Sequence, residues 1–179
     1  YGEWKAKDPI VLPKKPEAYE NVTNPVRAQE LLSEVEDLEK EARRADVLDM
    51  IIKTVRFFPT NVYNDMFVDV VGHEWYAGTV ECAYQNGMID PHLVEKGHFY
   101  PERPVTLEEF VVLAINGYQS RKRIPREEPC LYDQDCSAYA RPFVRAACAI
   151  GMLPLEEKAN LHEVITRGLA VEMCRRMNV

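Results

Sequence analysis

The sequence predicts an all-α fold made of tandem helix–loop–helix repeats, and three observations predict it. Every strong apolar period is helical, with at most short extended pieces around Phe67–Val70. Glycines stand where helices have to stop, at Gly87 and Gly151. The chain is also self-similar at a nearly constant spacing, the mark of a repeat architecture.

The repetition is legible residue by residue. A shift of 64 places Leu131-Tyr132-Asp133 on Phe67-Val68-Asp69, Tyr139-Ala140 on Trp75-Tyr76 and Gly151-Met152-Leu153 on Gly87-Met88-Ile89. A shift of 60 places Ile165-Thr166-Arg167 on Val105-Thr106-Leu107, the later loop being shorter. Going back by 63, Arg44-Ala45-Asp46-Val47 falls on Leu107-Glu108-Glu109-Phe110. Tyr19-Glu20-Asn21-Val22 reads as a worn copy of the segment at Phe67. The expected organisation is a Pro/Lys-rich linker or strap at 1–18, a shortened first repeat at 19–60, a second at 61–120 and a third at 121–179.

Taken in order, residues 1–18 carry Pro9, Pro13 and Pro16 among lysines, which favours an extended strap with Ile10-Val11-Leu12 and Trp4 as docking points. A first helix is expected from Asn24 as N-cap and Pro25 at N1, with Val26, Leu32, Val35 and Leu38 on its apolar face. Its charge run at Glu34, Glu36, Asp37, Glu39, Lys40 and Glu41 reads as a solvated face. A second helix follows Arg43-Arg44, its stripe of Val47, Leu48, Ile51, Ile52, Val55 and Phe58 ending before Pro59; together the two helices cover most of 25–58. Further helices are expected over 75–86, with Val80, Ala83 and Tyr84 inward, and over 106–117, opened by a Thr106-x-x-Glu109 capping box. After a polar connector at 121–136 come helices over 138–150 and 166–177, with a charged loop beyond Pro154 between them. The last helix lacks a capping box because Leu169 stands where the acid would be.

Composition narrows the functional classes. A net charge of −7 speaks against nucleic acid, which demands clustered Lys and Arg, and Arg121-Lys122-Arg123 with Arg126 reads as a solvated loop. No apolar run reaches the roughly 20 residues of a membrane span. The opening Tyr1-Gly2-Glu3-Trp4 is not a natural initiation, so a mature, trimmed or excised segment is expected. Among the five cysteines, Cys82, Cys148 and Cys174 read as buried small hydrophobes, whereas Cys130 and Cys136 flank a short loop that a disulfide can close in an oxidising compartment. Neither their spacing nor His73, His92, His98 and His162 makes a metal site, and no cofactor is implied. Ser33, Ser120 and Ser137 lie outside Gly-rich turns, and adjacent Glu108 and Glu109 point apart on a helix, so no enzymatic activity is expected.

Five pieces in register carry a resemblance: Phe67-Val68-Asp69-Val70, His73-Glu74-Trp75-Tyr76-Ala77, Asn86-Gly87-Met88-Ile89, Phe99-Tyr100-Pro101 and Thr106-Leu107-Glu108-Glu109. Together they resemble the S-layer homology repeat, with its F-x-D-V, H-W-A, G-L-I, F-x-P and T-R-A-E. The resemblance implies three repeats in a pseudo-threefold helical assembly, outside the cell and associated with wall or S-layer. It also implies inter-repeat grooves that bind an anionic secondary cell wall polysaccharide. Carried over by position, the glycan-binding candidates are Arg44, Asp69, Trp75 and Arg167, with Asp133 and Tyr139 as equivalents in the third repeat.

Each candidate also has a plain structural role open to it. Asp69 and Asp133 can cap the turn that follows them. Trp75 and Tyr139 can be core anchors with a polar edge. Arg44 and Arg167 can pair with carboxylates such as Asp46 or Glu163. Leu107 stands in place of the motif arginine in the best-preserved repeat, so at least one groove is expected to be dead. Anchoring to wall glycan is the leading expectation. Its rivals are a structural module packed on another domain or subunit, and an accessory domain of a polysaccharide-acting enzyme.

Overall fold

The structure is a computed structural model that describes residues 10–11, 30–153 and 158–179. Most of the strap at 1–18, the expected helix start at Asn24-Pro25 and the loop beginning at Pro154 lie outside the described residues. The described chain is mostly helical with almost no strand, as expected of an all-α protein. The helices are α1 (Arg44–Thr54), α2 (Ala77–Gln85), α3 (Leu107–Gln119), α4 (Arg141–Ala149) and α5 (Arg167–Arg176). Two short strands, β1 (Ile10–Val11) and β2 (Val62–Tyr63), pair antiparallel with Ile10 opposite Tyr63.

The centre is a closed ring of backbone hydrogen bonds among three extended segments. Ala42 N donates to Ile165 O at 2.9 Å, Val105 N to Ala42 O at 2.9 Å, and Ile165 N to Val105 O at 3.0 Å. Each segment runs directly into a helix. The first N–H groups of a helix have no partner within it. Here the neighbouring segment supplies one. Arg44 and Ala45 donate to Arg103 O and Pro101 O, Leu107 and Glu108 to Glu163 O and Leu161 O, and Arg167 and Gly168 to Lys40 O and Leu38 O. The ring side chains Ala42, Val105 and Ile165 are buried, so α1, α3 and α5 are held by backbone bonds inside an apolar centre.

The next helix position is capped locally. Thr106 Oγ1 accepts from Glu109 N at 3.2 Å, and Thr166 accepts from Leu169 N at 3.1 Å. At α1 the cap works in the other direction, Asp46 accepting from Arg43 N at 3.1 Å. Three helix ends share one chemistry. Gly87 and Gly151 are left-handed, at φ +71° and +81°, and Arg56 at +65° does the same after α1. In each case the residue after it donates back to a carbonyl: Met88 to Ala83, Met152 to Ala147, Phe57 to Ile52.

Four expectations are corrected. The charge run at 34–41 is not helical: helix covers 30–33, Asp37 turns left-handed at φ +54°, and 41–43 is extended. Clustered Glu34, Glu36, Asp37 and Glu39 repel along a helix, and the ring requires Ala42 to be extended. Helix α1 stops at Thr54 rather than at Phe58, because the left-handed Arg56 closes it before Pro59 can act. Tyr84 is 52% exposed although Val80 and Ala83 are buried. The extended piece lies at Val62–Tyr63 instead of Phe67–Val70, where the chain turns: Phe67 N donates to Tyr63 Oη at 3.1 Å, and that hydroxyl donates to Phe67 O at 3.2 Å.

Candidate functional site

The ring places the start of each of these helices against the third helical residue of a neighbour. Arg44 therefore meets Glu109: its Nε donates to Glu109 Oε2 at 2.9 Å, and Nη2 donates to the same oxygen. Its Nη1 donates to Leu93 O and to Phe99 O, each at 2.7 Å. Only 3% of Arg44 is exposed, and the guanidinium lies 5.7 Å from the centre of the Phe99 ring. The residue expected to face a ligand is a clamp inside the protein.

Asp69 grips the same loop from the acceptor side. Its carboxylate takes Phe99 N at 2.9 Å and Tyr100 N at 2.7 Å. That holds Tyr100 at φ +58°, a conformation costly for a bulky side chain, with Arg103 stacked 3.7 Å over its ring. Tyr139 lies beside this assembly, stacked on His92 at 4.5 Å. Burial first, then Glu108, Glu109 and Asp90, push the Tyr139 hydroxyl up to about 12. Asp133 is taken by Arg145, which donates to both carboxylate oxygens at 2.9 and 2.8 Å. Those bonds hold the Asp133 carboxyl well below the usual carboxylate range.

Trp75 and Arg167 have a different setting. They line one cavity of about 360 Å³ with Leu31, Asp46, Asp49 and Lys53. Trp75 is 54% exposed, with its ring edge-on to Tyr76 at 5.5 Å. Arg167 pairs with Asp46 at 3.1 Å and donates to Glu36 O at 2.9 Å, and Lys53 pairs with Asp49 at 2.7 Å. At the third equivalent position, Leu107 and Leu169 border a cavity of about 730 Å³. Thus the arginine–acid pair occurs twice around the ring and is replaced by two leucines the third time.

The structure brings Arg44, Asp69 and Tyr139 around one loop and sets Trp75 with Arg167 elsewhere. Asp133 joins neither group. Sequence reasoning assigned Glu109 only to capping and missed Asp49 and Lys53 beside Trp75. The available signal was the acid three residues after each N-cap, Asp46 and Glu109, whose spare oxygen reaches an arginine of another helix.

No protein-family profile matches the chain. Over 118 residues it is 27% identical to the exoglucanase XynX of Acetivibrio thermocellus and 26% identical to an amylopullulanase of Thermoanaerobacterium thermosulfurigenes. Each alignment covers 64% of this chain but only 10% and 6% of those proteins, so the chain spans a tenth or less of the curated relatives it matches. Both relatives carry names of polysaccharide-degrading enzymes. Among the described residues no helix is long and apolar enough to cross a membrane.

Proposed function

We propose that this chain is a non-catalytic cell-surface module of three S-layer-homology-like repeats that anchors a larger protein to wall polysaccharide through the Trp75–Arg167 groove. The observation that carries this reading is an exposed tryptophan sharing a cavity with an arginine whose charge is only locally paired. An open indole face is suited to the apolar face of a sugar ring, and a guanidinium forks onto a carboxylate or vicinal hydroxyls. The repeat reading is supported by the hydrogen-bonded ring, to which each repeat contributes one extended segment and one helix start in the same relation. The alignment to parts of two polysaccharide-degrading enzymes supports a place beside such an enzyme.

The groove's charge shapes the ligand. Glu34, Glu36, Asp46 and Asp49 outnumber Lys53 and Arg167 around it. Carboxylates accept from sugar hydroxyls and repel other anions. The reading is therefore of a hydroxyl-rich wall glycan with a sparse acidic group seated on Arg167 in competition with Asp46.

A second reading, a structural module packed on another domain without glycan, is favoured by the other two positions. Arg44 spends its hydrogen bonds on Glu109, Leu93 and Phe99, and at the Leu107–Leu169 position a leucine replaces the arginine while the cations of that cavity, Lys158 and Arg176, are paired with Asp135 and Glu172. Retention on purified cell wall sacculi, with and without their polysaccharide, separates the two readings. Retention that requires the polysaccharide supports anchoring. Equal failure on both preparations favours the structural module.

A further inference from the structure

The Trp75–Arg167 groove does not end at Arg167. A second cavity of about 540 Å³ adjoins the first, and Asp46 and Arg167 line both. The turn at 34–41 runs along the two in order: Glu34, Val35 and Glu36 border the first, Asp37, Lys40 and Glu41 the second. Consecutive Cα atoms stand only about 3.8 Å apart, so the step from Glu36 to Asp37 makes the cavities neighbours. Arg43, Glu102 and Pro104 complete the second wall. The ion pair between the cavities is fixed in place. Asp46 Oδ2 accepts from Arg43 N at 3.1 Å while Oδ1 meets Arg167 at 3.1 Å, so the carboxylate cannot turn away without uncapping α1. The second wall is held by backbone as well, Arg43 bridging to Pro104 and Glu41 to Thr166. Only side chains are free to meet a ligand there, and those of Glu41, Arg43 and Glu102 are exposed. Lys40 is paired with Asp37 at 3.4 Å, whereas among the described residues Glu41, Arg43 and Glu102 have no ion-pair partner. That leaves one donor fork beside two acceptor carboxylates, around a space within the range of small-molecule sites, about 300–1,000 Å³.

We propose that the second cavity is a subsite for an adjoining, uncharged, hydroxyl-bearing sugar unit, so that the module recognises linked sugars rather than a single one. The inference rests on the glycan-binding reading of the Trp75–Arg167 groove. One unit lies on Trp75 with any acidic group at Arg167, and the next lies across the Arg167–Asp46 pair. Arg43 donates to the oxygens of that second unit, and Glu41 and Glu102 accept from its hydroxyls. The two carboxylates turn a second acidic group away. Because the ion pair is already fixed, both subsites fill without rearrangement, and affinity grows with chain length.

The test measures binding of the full chain to wall polysaccharide released from sacculi and fractionated by length, from single sugar units upward. The expected result is an affinity about tenfold higher for linked units than for single ones. Arg43→Ala and Glu102→Ala are each expected to lose most of that gain, to bind single units like the wild type and to keep the helical signal. Trp75→Ala is expected to weaken binding at every length. Arg43 and Glu102 variants that match the wild type at all lengths would overturn the second subsite and leave the Trp75 groove standing. A wild type that binds but is indifferent to length would do the same. A wild type that binds no fraction would overturn both.

Discussion

Arg44 and Glu109 are joined across α1 and α3 by a largely buried ion pair, Arg44 enclosed and Glu109 partly exposed, at a position that one step around the ring holds Arg167 with Asp46. A further step holds Leu107 and Leu169. The protein therefore contains its own comparison between a charged and an apolar solution to one packing problem.

The comparison predicts a non-additive pair of substitutions. Arg44→Leu leaves Glu109 without its cation, and breaking one side of a buried pair typically costs about 3–5 kcal/mol. Adding Glu109→Leu removes the stranded charge and reproduces the Leu107–Leu169 arrangement. Most of the lost stability is expected to return in the double variant. Urea unfolding of the two single variants and the double variant measures the coupling.

Gly168 is expected to resist replacement. A Cβ there meets Leu38 O at 3.0 Å, and the Gly168 N–H donates to that same oxygen. Gly168→Ala either pushes 38–40 away or breaks the bond, at a cost of about 1–3 kcal/mol. The change is expected to show as a lower urea midpoint with an unaltered slope. An unchanged midpoint would mean that segment 38–40 gives way freely.

Acid stability has a definite sign at Asp133. Arg145 holds its carboxyl below the ordinary value, so the unfolded chain binds a proton there before the folded chain does. The contribution is fully present above the ordinary carboxylate pKa of about 4. It fades as pH falls from there towards the depressed folded value. Asp133→Asn is expected to flatten the melting temperature between about pH 4 and 2 relative to the wild type. A parallel pair of pH curves would show that Asp133 does not contribute.

Much of the helical content was legible because it is local. Gly87, Gly151 and the Thr106 cap each act within a few residues, and these three stand where expected. The segment at 34–43 was not legible because its conformation is decided by Ile165 and Val105, far away in sequence. The same reason separates the site residues. Arg44, Asp69 and Trp75 stood alike as glycan-binding candidates, but whether an arginine faces solvent depends on which carboxylate the ring brings to it. Glu109 reaches Arg44 and closes it, whereas Asp46 leaves Arg167 beside Trp75.

Retention of Trp75→Ala on polysaccharide-bearing sacculi tests the central claim most directly. Trp75 is 54% exposed, so its removal leaves the core and the hydrogen-bonded ring in place. Val68→Ala, 71% exposed and outside the cavity, serves as the matched control. Loss of an aromatic sugar platform worth about 1.4 kcal/mol corresponds to about a tenfold weaker affinity. The expected result is a drop of that size or larger for Trp75→Ala, with Val68→Ala bound like the wild type. Equal retention of all three proteins would contradict the assignment of wall binding to the Trp75–Arg167 groove.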